Sequence, residues 1–296
     1  MMKHRTALSV SVSVSVTVLA LALGACSSGG DGDGGGDKDQ AHGTTISHIH
    51  GVAVDPADGT LYVATHDGIY TPDDKGAPEL VGERKDDFMG FTLGKSGAFL
   101  ASGHPAPGRD APSNLGLIES TDKGRTWKDR SLGGEVDFHS LEYAHGTIYG
   151  YDSTNGLLRV SADGERWDSR AELSAVDLAV SPADPDTVLA TTEGGIVRST
   201  DGGRSFAAAA QPVLAHLSWP RKDALYGVDP AGALSVSADG GRTWTGRGTV
   251  PGGGPQALTA LDGERLVIAS QDGVYRSDDG GRTFDKQLSV SSAGGH

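Results

Sequence analysis

The 296 residues carry 39 Asp and Glu against 25 Lys and Arg, a formal charge of −14, which excludes the basic surface that a nucleic-acid partner needs to displace phosphate counterions. A single cysteine rules out an intrachain disulfide and any multi-thiolate metal centre. With 45 glycines, 13 prolines and no useful helical periodicity beyond the N-terminal segment, the core must come from short extended segments joined by tight turns.

Taken in chain order, Lys3 and Arg5 precede an apolar run that ends in Leu23-Gly24-Ala25-Cys26. That order predicts a secretory signal peptide over residues 1–25. The small residues before Cys26 resemble a bacterial lipobox, which implies cleavage there and lipidation of Cys26. The expected address is then the outer side of the bacterial cytoplasmic membrane, with the membrane itself as a partner. Losing Lys3 and Arg5 with the signal would take the formal charge from −14 to −16. Residues 26–45, rich in Gly, Asp and Ser, have too little apolar surface to offset the entropy of ordering, and are expected to form a tether.

Beyond the tether one unit recurs. The stretches 120–127 (STDKGRTW), 199–206 (STDGGRSF), 237–244 (SADGGRTW) and 277–284 (SDDGGRTF) match position by position, 161–167 (SADGERW) is one residue short, and 71–76 (TPDDKG) is an eroded first copy. Within each, a hydroxyl and an Asp carboxylate can clamp a turn, Gly supplies the positive φ, and the aromatic packs inward. Around them lie β-branched, alternating segments such as "LYVAT", "TVLAT" and "RLVIAS". Six units spaced near 40 residues predict an all-β fold, a six-bladed β-propeller of four-stranded antiparallel blades over residues 46–289, with a tail at 290–296.

These motifs resemble the Asp-box, or BNR, repeats of sialidases, sortilin-type propellers and related glycosyl-hydrolase-like lipoproteins, over about residues 46–289. The resemblance implies the propeller and leaves activity open, because unrelated functions share such scaffolds. A sialidase also needs an arginine triad. Here no Arg-Ile-Pro motif follows the tether, and no innermost strand begins with arginine.

The start of each innermost strand and the connection between a blade's second and third strands share one end of such a ring, opposite the repeated turns. Aligning the innermost strands gives His50, Met89, His139, Asp177, His216 and Ala257 as one ring. Aligning the connections gives His66, His104, Asp152, Glu193, Asp229, and Gln271 or Asp272 as a second. His48 is expected on the opposite side of its strand from His50, in a supporting role. The insert 103–116, "GHPAPGRDAPSNLG", accounts for a 49-residue first interval and brings Arg109 and Asp110 towards the mouth.

Three chemistries fit these positions. Imidazoles with a thioether favour copper, and imidazoles with carboxylate and water suit zinc, so His50, Met89, His139 and His216 are candidate metal ligands. His66, His104, Arg109 and Asp229 are candidate contacts to a small-molecule or glycan ligand. Glycoside hydrolysis would draw its carboxyl pair from Asp152, Glu193 and Asp177. Turn geometry by itself also selects Asp at 152, 229 and 272. A protein-interaction or assembly module would need exposed aromatic residues, and only Tyr151 and Trp219 come near.

Overall fold

Each repeat becomes one antiparallel sheet in a computed structural model that describes Ile46 and residues 48–290. The signal peptide, Cys26 with the rest of the tether, and residues 291–296 lie outside the described residues. Blade one comprises β1 (Ile49–Val54), β2 (Leu61–Thr65), β3 (Gly68–Pro72) and β4 (Pro78–Leu80). Blade two has β5 (Asp87–Leu93), β6 (Phe99–His104), β7 (Leu117–Ser120) and β8 (Lys128–Ser131). Blade three has β9 (Phe138–Ala144), β10 (Thr147–Asp152), β11 (Leu157–Ser161) and β12 (Asp168–Glu172). Blade four has β13 (Leu178–Val180), β14 (Val188–Thr192) and β15 (Gly195–Ser199). Blade five has β16 (His216–Arg221), β17 (Ala224–Val228), β18 (Ala233–Ser237) and β19 (Thr245–Thr249). Blade six has β20 (Pro255–Ala260), β21 (Leu266–Ser270), β22 (Gly273–Ser277) and β23 (Asp285–Ser289).

The six-bladed propeller is therefore present, with one local departure. The outer strand of blade four is reduced to a single bridge between Ile196 and Ala210. Four alanines followed by Gln211 and Pro212 supply little β propensity there.

The core is divided into six wedges, each filled from two neighbouring blades. Ala53, Ile69, Phe88 and Phe99 join blades one and two, and Tyr149, Leu158, Leu178 and Val188 join three and four. A middle strand is thus covered on both faces, which is why "LYVAT" is buried throughout. The seam between last and first blades closes the same way. Ile49, Val52 and Val63 pack with Val267, Ala269 and Val274, and Thr259 Oγ1 donates to the Val52 carbonyl at 2.6 Å. Blade one is built from the first repeat and blade six from the last, so among the described residues no strand is shared across the seam.

The repeated turns sit between third and fourth strands. In one of them the buried Ser199 hydroxyl donates to Asp201 at 2.6 Å and accepts the Gly203 N–H at 2.8 Å, while Asp201 Oδ1 accepts the Arg204 and Ser205 N–H groups. Gly203 has φ +86°, and a Cβ there would run into Leu158. Such donors hold the acids ionised: hydrogen bonds from the Thr126 hydroxyl and N–H push the equivalent Asp122 down to about 2. Ser199→Ala leaves the buried Gly203 N–H without an acceptor, so a loss of about 1–2 kcal/mol is expected. Urea denaturation checks it, and an unchanged midpoint would mean that Asp201 alone holds the turn.

Candidate functional site

The side chains that ring one end of the propeller are aimed by a repeated backbone irregularity. In β1 the pairing steps from Ile49 to Gly51 and passes over His50; in β5 it passes over Met89, in β9 over His139 and in β20 over Gln256. A bulge of this kind leaves the extra residue unpaired and turns its side chain. His216 lies in regular pairing with Val228, and Ala257 with Ala269. The bulge residue of blade six is therefore Gln256, one position before the Ala257 expected from alignment.

At the first bulge three donor atoms meet. His50 Nε2 lies 3.3 Å from His66 Nδ1 and 3.6 Å from Asp87 Oδ1, and His66 Nδ1 lies 2.9 Å from the same oxygen. Among the described residues this is the group of His, Cys, Asp and Glu side chains close enough to share an ion. Asp87 Oδ1 is shielded from solvent and has no aligned hydrogen bond, its approach to His66 at 2.9 Å included. Ligand bonds of about 2.0–2.2 Å at tetrahedral angles put donor atoms about 3.4 Å apart, which is the size of this triangle. The donor set, two imidazoles and a carboxylate, fits zinc or copper.

His48 packs against this group without joining it. Residues two apart in a strand share a face, and the His48 ring lies 4.9 Å from the His50 ring and 5.5 Å from that of His66. The expectation that it stands behind the strand is corrected. Gln256 holds it, donating from Nε2 to His48 Nδ1 at 3.1 Å while its Oε1 accepts the Ile49 N–H. Burial first, then the neighbouring His66, His48 and His139, push His50 down to about 3. It is therefore neutral, the ligating form, at any pH above strongly acid.

The expected convergence of His50, Met89 and His139 on one ion is not what the structure shows. His139 Nε2 instead donates to Asp137 Oδ2 at 2.6 Å, and His104 Nε2 approaches the same oxygen at 3.3 Å. Ser153 Oγ donates to it at 3.3 Å, and His104 Nδ1 donates to the Ser113 carbonyl at 2.9 Å. His50, His139, Asp177 and His216 line a central cavity of about 380 Å³; Met89 does not. Burial lowers the pKa of His216, against the pull of Asp177, whose Oδ2 is 3.8 Å from its Nδ1. Asp177 also straps three blades together, accepting from Ser140 Oγ and from the Leu217 N–H at 2.9 Å each.

Other expected contacts are committed elsewhere. Asp152 is fully buried, accepts Arg159 Nε at 2.7 Å and the Asn155 N–H at 3.1 Å, and serves as a turn clamp. Asp229 likewise accepts the Ala231 and Ala233 N–H groups, and Asp272 accepts the Tyr275 hydroxyl. Glu193 is exposed on its turn, apart from the cavity lining. Arg109 anchors the insert, donating from Nη1 to buried Asp86 at 2.6 Å, and does not line the central cavity.

Glu142 escaped the sequence reading because it lies mid-strand, away from any turn or motif. It lines the cavity in the middle of β9, enclosed by protein although the residue keeps some contact with the cavity space. Burial, reinforced by Asp177, pushes its carboxyl up to about 8. Folded Glu142 therefore keeps its proton between about 4.5 and about 8 while the unfolded chain loses it, so stability falls as pH rises through that window. Glu142→Gln is expected to stabilise the protein by about 1–3 kcal/mol at pH 8.5 and to change little at pH 4. Melting curves at both pH values check this, and an equal effect at both would mean that the acid is not protonated in the folded state.

No protein-family model and no curated protein matches the chain by sequence. Solved structures do match in fold. A gluconolactonase from Xanthomonas campestris superposes with a TM-score of 0.63 at 16% identity, over 79% of this chain and 87% of that one. Virginiamycin B lyase from Staphylococcus aureus gives 0.56 at 14%, over 82% and 86%. An ancestral GH74 enzyme gives 0.54 at 13%; it matches 79% of this chain, which spans only 37% of that enzyme. At these identities the likeness establishes a propeller shared with enzymes and carries no residue roles.

Proposed function

We propose that this chain is a lipid-anchored, extracytoplasmic propeller of the Asp-box kind that binds a transition metal, zinc or copper, through His50, His66 and Asp87. The observation that carries this is the triangle of donor atoms, 2.9, 3.3 and 3.6 Å on its sides, built around a carboxylate oxygen with no other partner. His48 and Gln256 support it from the adjoining seam. His139 and His216 face the same cavity and would meet whatever the ion binds there. Isothermal titration of the full chain with Zn(II) is expected to show binding that His66→Ala weakens at least about 100-fold, because losing a ligand should exceed the roughly 10–100-fold cost of losing a ligand's supporting hydrogen bond. Equal affinity in the variant would overturn the assignment.

Glycoside hydrolysis stands second on one observation: Glu142, an acid protonated at neutral pH, lines the cavity together with Asp177. Against it, the Asp177 carboxylate is already strapped to Ser140 and Leu217. Turnover of an aryl glycoside panel that disappears in Glu142→Gln would favour hydrolysis. No turnover is the expected result.

A further inference from the structure

The bulge register defines a second set of donors, one blade further round the ring. At the first site the bulge residue of blade one is His50, the histidine after β2 is His66, and the carboxylate two residues before the next bulge is Asp87. Advancing each by one repeat gives Met89 at the bulge of β5, His104 at the end of β6, and Asp137 two residues before the bulge of β9. We propose that Met89, His104 and Asp137 form a second metal site, repeat-related to the first and selective for copper. It rests on the metal-binding function proposed above.

Three observations besides the repeat carry it. His104 Nε2 lies 3.3 Å from Asp137 Oδ2, the same separation as between the two imidazoles of the first site and close to the edge of about 3.4 Å expected between two ligands of one tetrahedral ion. His104 Nδ1 donates to the Ser113 carbonyl at 2.9 Å, which fixes the ring with its Nε2 towards the Asp137 carboxylate. Asp137 is 4% exposed, and its Oδ1 has neither solvent nor a hydrogen-bond partner. This oxygen belongs to the same carboxylate as the Oδ2 that faces His104, and a buried oxygen without a partner calls for an explanation.

The two sites differ at the bulge. Met89, the only methionine beyond the first two residues of the chain, replaces an imidazole with a thioether, and a thioether selects copper, above all Cu(I), over zinc. One carboxylate per site would leave each Cu(I) neutral. The sites also abut, because Asp87 of β5 pairs directly with His104 of β6. His139, hydrogen-bonded to Asp137, holds the second carboxylate in place from the cavity side.

The test is the number of ions retained by the metal-free full chain after titration and desalting, with Cu(I) supplied anaerobically and Zn(II) separately, read by elemental analysis. Two copper ions and one zinc ion per chain are expected. Met89→Leu and Asp137→Asn should each retain one copper and one zinc, and His66→Ala one copper and no zinc. Circular dichroism of each variant checks folding, and Met89→Leu is conservative enough to stand alone if Asp137→Asn fails to fold. A single copper in the unmodified chain would overturn the second site and leave the first. No ion of either kind would overturn both, and two coppers in Met89→Leu would remove Met89 from the site.

Discussion

Saturating Zn(II) is expected to raise the melting temperature of the full chain by about 5–10 °C, and His66→Ala to abolish the rise. An ion that binds the folded state alone stabilises it by about 2.7 kcal/mol at one hundred times its dissociation constant, and each kcal/mol moves a domain of this size by about 2–4 °C. His66 is the informative position because its side chain is 44% exposed. Replacing it removes a ligand atom without opening the core, so the variant should melt like the metal-free parent. His50→Ala should lose the shift as well, but its ring is enclosed by His48 and His66 and its removal disturbs packing. A shift that survived in His66→Ala would place the ion elsewhere.

Asp86→Ala should cost about 3–5 kcal/mol, the largest stability loss expected of any single substitution outside the apolar wedges. The carboxylate is completely buried and takes Arg84, Arg109 and the Ala106 N–H. Removing it strands the Arg84 guanidinium, which is already short of one partner at Nη2, and releases the insert that it ties down. Arg109→Ala removes a partly exposed partner instead and should cost about 1 kcal/mol. Urea denaturation of the two variants separates these values. Similar small losses in both would mean that the insert is held by Leu115, buried among Phe88, Phe99 and Ile118, and not by charge.

The architecture was legible because the same turn occurs five times in recognisable form, and a hydroxyl, an Asp and a Gly at fixed spacing have one mechanical use. The ring residues were legible as positions around an axis, yet their grouping was not. Alignment of repeats carries no radial distance, and it placed His50, Met89 and His139 together, whereas His50 meets His66 and Asp87, His139 bonds Asp137, and Met89 does not line the cavity. Asp87 and Asp137 were missed although a signal existed: "DFM" and "DFH" put the same acid two residues before each ring residue. The bulges were invisible because pairing register is a property of two strands. Asp152 and Asp229 read as site carboxylates and act as turn clamps, since a turn and a site call for the same side chain. Glu142 lay within an apparently ordinary strand, where only the closed ring reveals that it faces a cavity.

X-ray absorption at the zinc edge of the loaded full chain tests the central claim most directly. Backscattering from two imidazoles, with nitrogen and oxygen ligands at about 2.0–2.2 Å, is expected, falling to one imidazole or to no retained zinc in His66→Ala. Zinc surrounded by oxygen alone, or a spectrum identical in parent and variant, would contradict it.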